Sequence, residues 1–94
     1  MSISAQKIEE EVRAVQVFFT EDQICVVLAD GREVRTPIAF YPTLQNATET
    51  QRNNFTLIGL GTGVHWPEID EDLSIEGIVL GRKAFNYPSD AKGA

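Results

Sequence analysis

The dipeptide Asp30-Gly31 lies between two short runs of strand-forming residues, and it constrains the fold more than any other feature. A two-residue type I′ turn needs positive φ at both central positions, which Asp tolerates and Gly prefers. On its N-terminal side, Gln23 to Ala29 is rich in β-branched residues. Ile24, Val26 and Leu28 oppose Cys25 and Val27, so both faces are apolar and the strand reads as a central one. With a two-residue loop, Ala29 faces Arg32 and Val27 faces Val34. The returning strand is Arg32 to Thr36, ended by Pro37, which donates no ladder hydrogen bond. Upstream, Val12 to Thr20 alternates Val15, Val17 and Phe19 against Ala14, Gln16 and Phe18, and Glu21-Asp22 breaks the run. Residues 12–36 therefore read as a three-stranded antiparallel meander.

Short helices follow. Pro42 suits a first helical turn, where its missing N–H would be unpaired anyway. Thr48-Glu49-Thr50-Gln51 matches a capping box, which starts a second helix running to about Asn54. Leu44, Ala47 and Phe55 are expected to face the sheet. Phe55 to Gly59 and Val64-His65-Trp66 read as a later hairpin, turned by Gly59-Leu60-Gly61-Thr62-Gly63 and stopped by Pro67. Ser74 then caps a C-terminal helix, and Gly81 lies past its end. Three segments result: an N-terminal arm over 1–11, one domain over 12–81 and a tail over 82–94. The fold class is α+β, a three-stranded meander plus a later hairpin with short helices packed on the sheet.

A chain of 94 residues is one domain, and its hydrophobic fraction of 43% is enough for a core. The net charge of −6 argues against direct nucleic-acid binding, because a polyanion needs clustered Lys and Arg. Only Arg82 and Lys83 are adjacent basic residues. A basic protein partner is electrostatically easier. The N-terminus has no apolar stretch of a signal peptide, and no run approaches a membrane span, so the reading is cytoplasmic, with no membrane partner. The apolar two-sided strand allows a homodimer. Cys25, the single cysteine, sits among apolar residues and reads as a small buried hydrophobe.

Several constellations resemble chemistry. Gly59-x-Gly61-x-Gly63 lacks the helix start and the Gly-Lys-Ser/Thr that phosphate cradling needs, so it reads as a turn. Asp70-x-Asp72-x-Ser74-x-Glu76 begins like a calcium loop, but Ile75 and Gly81 occupy the positions that need Gly and Glu. Those carboxylates read instead as complementing the positive end of the following helix. His65 is the one histidine, and metal ligation would have to pair it with Glu68, Asp70 or Asp72. A small enzyme using His65 with Asp70 or Glu68 is the alternative reading, and its mark would be a pocket holding those groups within hydrogen-bond reach. The preferred reading assigns no catalytic residue, no cofactor and no metal. Tyr41, Arg52, Trp66 and Asp70 form the expected interaction surface, since large aromatics with an Arg are what interfaces use as anchors.

The order Asp30-Gly31-Arg32, Tyr41-Pro42-x-Leu44, Ala47-Thr48, Gln51-Arg52-x-Asn54-Phe55 and Gly61 to His65-Trp66-Pro67-Glu68-Ile69-Asp70-Glu71-Asp72-Leu73-Ser74 resembles the bacterial family called domain of unknown function 2442. The resemblance covers roughly residues 12–81 and implies a compact α+β domain with no defined catalytic residues. It also implies a gene neighbour arrangement similar to toxin–antitoxin pairs, hence a protein partner, a small toxin-like one among the options. Some longer relatives carry a helix-turn-helix after this domain. This chain stops before one, so a DNA-associated regulator would have to act through a partner. The leading expectation is a non-catalytic protein-interaction module, the antitoxin-like or accessory half of a two-protein system.

Overall fold

The computed structural model describes residues 12–88; the expected N-terminal arm and the last residues of the tail lie outside them. Two three-stranded antiparallel sheets form, ordered β1-β2-β3 and β4-β5-β6. The first comprises β1 (Ala14–Phe19), β2 (Gln23–Leu28) and β3 (Glu33–Pro37). The apolar two-sided run is the central strand, as its composition requires.

The register differs from the expected one by a residue. Val26, not Val27, faces Val34, and Ile24 faces Thr36. Gly31 has φ +97°, but Asp30 is not among the residues with positive φ, so the turn is not type I′. The Gly31 N–H donates to Leu28 O and the Leu28 N–H donates to Arg32 O, at 2.9 and 2.8 Å. This is a three-residue loop whose glycine takes the left-handed position, the next commonest hairpin solution. The Arg32 backbone N–H and Nε both donate to the Asp30 carboxylate, at 3.0 and 2.8 Å. These bonds, the backbone one first, hold that carboxyl below its ordinary value. Because side chains alternate, the observed register puts Ile24, Val26, Leu28 and Thr36 together on the buried face. Strand β1 also departs from simple alternation. Its pairing jumps from Ala14–Leu28 to Gln16–Val27, which leaves Val15 in a bulge, 62% exposed, while Ala14 and Val17 turn inward.

A 3₁₀ turn over Ile38–Phe40 leads to α1 (Pro42–Gln45) and α2 (Glu49–Asn53). Pro42 opens α1, and Leu44 is fully buried. The Thr48 capping box is complete: Gln51 N–H donates to Thr48 Oγ1 at 3.1 Å, and Thr48 N–H donates to Gln51 Oε1 at 2.9 Å.

The second sheet comprises β4 (Thr56–Ile58), β5 (Gly63–Trp66) and β6 (Glu71–Ser74). The expected hairpin is therefore extended by a third strand. Residues 71–74 pair with β5 from Trp66–Glu71 to Gly63–Ser74 and do not simply lead into a helix. Ser74 ends β6 and caps α3 (Ile75–Val79), accepting from the Gly77 N–H at 2.9 Å. Gly81, at φ +76°, follows the helix end. Residues beyond it fold back: the Ala84 N–H donates to Phe40 O at 3.0 Å, and the Tyr87 and Phe40 rings meet edge-on. One core joins both sheets and the helices, with Ile24, Val26, Leu44, Val64, Trp66, Ile75 and Ile78 at its centre. No helix among the described residues is long and apolar enough to cross a membrane.

Candidate functional site

Trp66 sits in β5 on the core-facing side of its sheet, with no exposed surface. Phe19 meets it edge-on at 6.5 Å, and Phe55 lies tilted against it at 6.1 Å. The indole N–H donates to the Arg52 carbonyl at 2.9 Å. The Arg52 guanidinium in turn donates through Nε to Leu44 O and through Nη2 to Gln45 O, each at 2.9 Å. These are carbonyls at the end of α1, which a helix terminus leaves without intrahelical partners. Trp66 and Arg52 thus tie β5, α2 and α1 together.

This corrects the expectation that Tyr41, Arg52, Trp66 and Asp70 form one exposed surface. Tyr41 is only 1% exposed, and Trp66 is buried completely, because a small domain uses its largest aromatics to fill the gap between sheet and helices. Asp70 is exposed but lies in the β5–β6 turn at φ +54°, where a short polar residue tolerates the left-handed region. Arg52 points its guanidinium at backbone.

His65 lies on the outward face of the second sheet. Register places it opposite Asp72 on one side and Thr56 on the other. Its Nδ1 is 2.5 Å from Asp72 Oδ1, and both side chains reach solvent. The partner is therefore Asp72, not the expected Asp70 or Glu68, because strand pairing aligns residue 72 with 65. A paired carboxylate orients an imidazole and leaves Nε2 to exchange a proton. Clefts open on the surface formed by the described residues, and three bear on the site. One, of about 480 Å³, lies over Glu49, Thr50, Asn53 and Asn54. The second, of about 400 Å³, lies beside Phe19, Glu21, Glu49 and Arg52. The third, of about 130 Å³, is walled by Tyr41, Ser74, Arg82 and Lys83. His65 lines none of the three. Among the described residues no group of three or more His, Cys, Asp or Glu side chains could hold a metal ion.

Cys25 has no exposed surface, and burial pushes its thiol up, with Arg35 acting in the opposite sense. Such a thiol is a poor nucleophile. Burial also pushes the Tyr41 hydroxyl up to about 12, so it stays protonated and able to donate.

Glu71, opposite Trp66, has its carboxyl raised, by burial first and then by Asp72 and Asp70. A folded value above the unfolded one means that the unfolded chain releases the proton sooner. The ionised group therefore costs stability at neutral pH, and the cost fades as pH falls below the ordinary carboxylate range. Glu71→Gln is expected to raise the urea midpoint at pH 7, by up to about 0.5 kcal/mol in stability. The gain should vanish near pH 3.5, roughly a unit below the ordinary Glu value. An equal gain at both pH values would assign the effect to packing instead of charge.

The feature that sequence reasoning missed is Leu60. It occupies the β4–β5 turn between Gly59 and Gly61, with φ +59° and 85% exposure. A left-handed backbone is costly for a residue with a Cβ, and an exposed leucine adds no burial. The turn is docked: a Cβ built on Gly61 would lie 2.6 Å from Ala14 O. That holds the turn carrying Leu60 against the start of β1; Val15, bulged outward in β1, and Ile58, on the strand before the turn, are also exposed. The only sequence signal was a large apolar residue between two glycines.

A family model described as a protein of unknown function (DUF2442) matches residues 14–84. No curated protein matches the chain. Two solved structures are similar. One is a crystal structure of a protein of unknown function from Rhodospirillum rubrum, with 26% identity and a TM-score of 0.72, over 82% of this chain and 95% of that one. The other is a solution structure of an uncharacterised protein from Chromobacterium violaceum, with 21% identity and a TM-score of 0.69, over 96% of this chain and 83% of that one.

Proposed function

We propose that this chain, which belongs to the DUF2442 family, is a non-catalytic protein-binding module that meets its partner through Leu60, with the exposed Val15 of β1 and Ile58 of β4 as further candidate contacts. The observation that carries this reading is the exposure of Leu60 in a left-handed conformation. Backbone strain held at a surface position is a pointer to function, and a large apolar side chain fixed in solvent suits a protein contact. The net charge of −6 favours a basic partner, which fits the accessory or antitoxin-like half of a two-protein bacterial system. A second reading, a small enzyme, draws on the His65–Asp72 pair, with Nε2 taking a proton from a substrate. It stands second because His65 is on an open sheet face.

Leu60→Asn separates binding from folding. Asn tolerates the left-handed region better than Leu, so thermal stability should hold or rise. Recovery of the partner in affinity capture from the native host should drop at least fivefold. Undiminished recovery with the Asn variant would move the contact elsewhere, and recovery of no partner by the parent chain would count against the role.

A further inference from the structure

The smallest of the three clefts has the composition of a binding site. It lies between β6, α3 and the segment that returns after Gly81, and it encloses about 130 Å³. The cleft is partly open to solvent and has room for a carboxylate or phosphate group. Tyr41 forms part of its wall, is 1% exposed, and has a hydroxyl with no hydrogen-bond partner among the described residues. A buried hydroxyl left unpaired calls for an explanation, because nearly all such groups are satisfied. Ser74 is a second wall residue. Its Oγ accepts from the Gly77 N–H at 2.9 Å, which leaves its own O–H to donate.

Charge points the same way. Arg82 and Lys83 are the one adjacent basic pair in a chain of net charge −6, and both line this cleft. The Lys83 ammonium is drawn over the Phe40 ring, 4.5 Å from its centroid, and lies 5.3 Å from that of Tyr87. Asp72 also borders the cleft, but its Oδ1 is taken by His65. Two cations and two hydroxyl donors thus outweigh one carboxylate that already has a partner. A metal ion would meet the wrong charge, and an apolar guest would leave the hydroxyls unpaired.

We infer that this cleft binds a small oxyanion, a carboxylate or phosphate group, with the Tyr41 and Ser74 hydroxyls donating to it and Arg82 and Lys83 supplying the countercharge. The site is separate from the Leu60 tip and does not depend on it. Amide chemical shifts of the full chain, titrated in parallel with acetate, inorganic phosphate and chloride at matched ionic strength, provide the test. Saturable shifts at Ser74, Gly77 and Lys83 are expected with acetate, phosphate or both, and not with chloride. The stronger of the two responses tells a carboxylate ligand from a phosphate one. Tyr41→Phe and Arg82→Ala should each weaken the response at least tenfold, while the amide signals of β2 stay in place and report an intact fold. Absence of saturation with both oxyanions, an equal response to chloride, or parental affinity in Tyr41→Phe would overturn the assignment.

Discussion

Trp66→Ala is expected to remove a large part of the folding free energy. Truncating a buried tryptophan costs about 3–5 kcal/mol through lost transfer energy and the cavity left behind. A domain of this size is stable by only about 5–14 kcal/mol in total. The indole bond to the Arg52 carbonyl is lost as well, at a site where water does not readily replace it. Trp66→Phe isolates that second loss. It keeps an aromatic ring against Phe19 and Phe55 but leaves the Arg52 carbonyl unpaired, for a smaller cost of about 1–3 kcal/mol. Urea denaturation followed by far-UV circular dichroism measures both, since the variants lack the chain's one tryptophan as a fluorophore. A cost below about 1 kcal/mol for the alanine variant would show that Trp66 is not the centre of the core.

That expectation differs in kind from the one the sequence supports, and the difference has a physical origin. A tryptophan beside a histidine and a run of acids can be read from sequence as a core residue or as an interface anchor. Its hydrogen-bond partner lies 14 residues away in another element, and only the packed chain brings them together. Local signals behaved otherwise. The Thr48–Gln51 capping box, Pro42 at the start of α1, the Ser74 cap and Gly81 past α3 each depend on residues within four positions, and each formed as its chemistry dictates. Strand β2 was legible because its β-branched content and two apolar faces suit only a central position.

The features that escaped were those set by pairing. Glu71-Asp72-Leu73-Ser74 has poor intrinsic strand preference. It becomes β6 because β5 would otherwise expose an unpaired edge, and because Asp72 then lies opposite His65. The Asp30-Gly31 loop admits both a two-residue and a three-residue turn. The choice is made by which face of β3 must be buried: Thr36 and the half-buried Val34 join the core only in the observed register. The bulge at Val15 follows similarly, since it lets both Ala14 and Val17 face inward. The candidate contact residues Leu60 and Val15 belong to this non-local class, which is why composition pointed instead to the aromatics.

The junction between the Leu60 turn and β1 leads to the second large effect, at Gly61. Two separate costs meet there. Its φ of +93° is unfavourable for any residue with a Cβ, by about 1–2 kcal/mol. In addition, a Cβ would sit 2.6 Å from Ala14 O and 3.4 Å from Ala14 N, and these are backbone atoms that cannot rotate away. Ala14 is held in turn by its pairing with Leu28, so relief requires moving the end of β1 or lifting the turn off it. Overpacking of that kind costs a further ~1–3 kcal/mol. Gly31→Ala is the internal control. Its φ is +97°, but nothing lies within 4 Å of the added methyl, so it carries the conformational cost alone. Gly61→Ala is therefore expected to lower stability by about 2–5 kcal/mol, and Gly31→Ala by about 1–2 kcal/mol. Amide hydrogen exchange should show the β1 end and the β4–β5 turn opening in the first variant but not in the second. Equal costs at the two glycines would mean that the turn is not held against β1, and the proposed contact at Leu60 would then lose its rigid mounting.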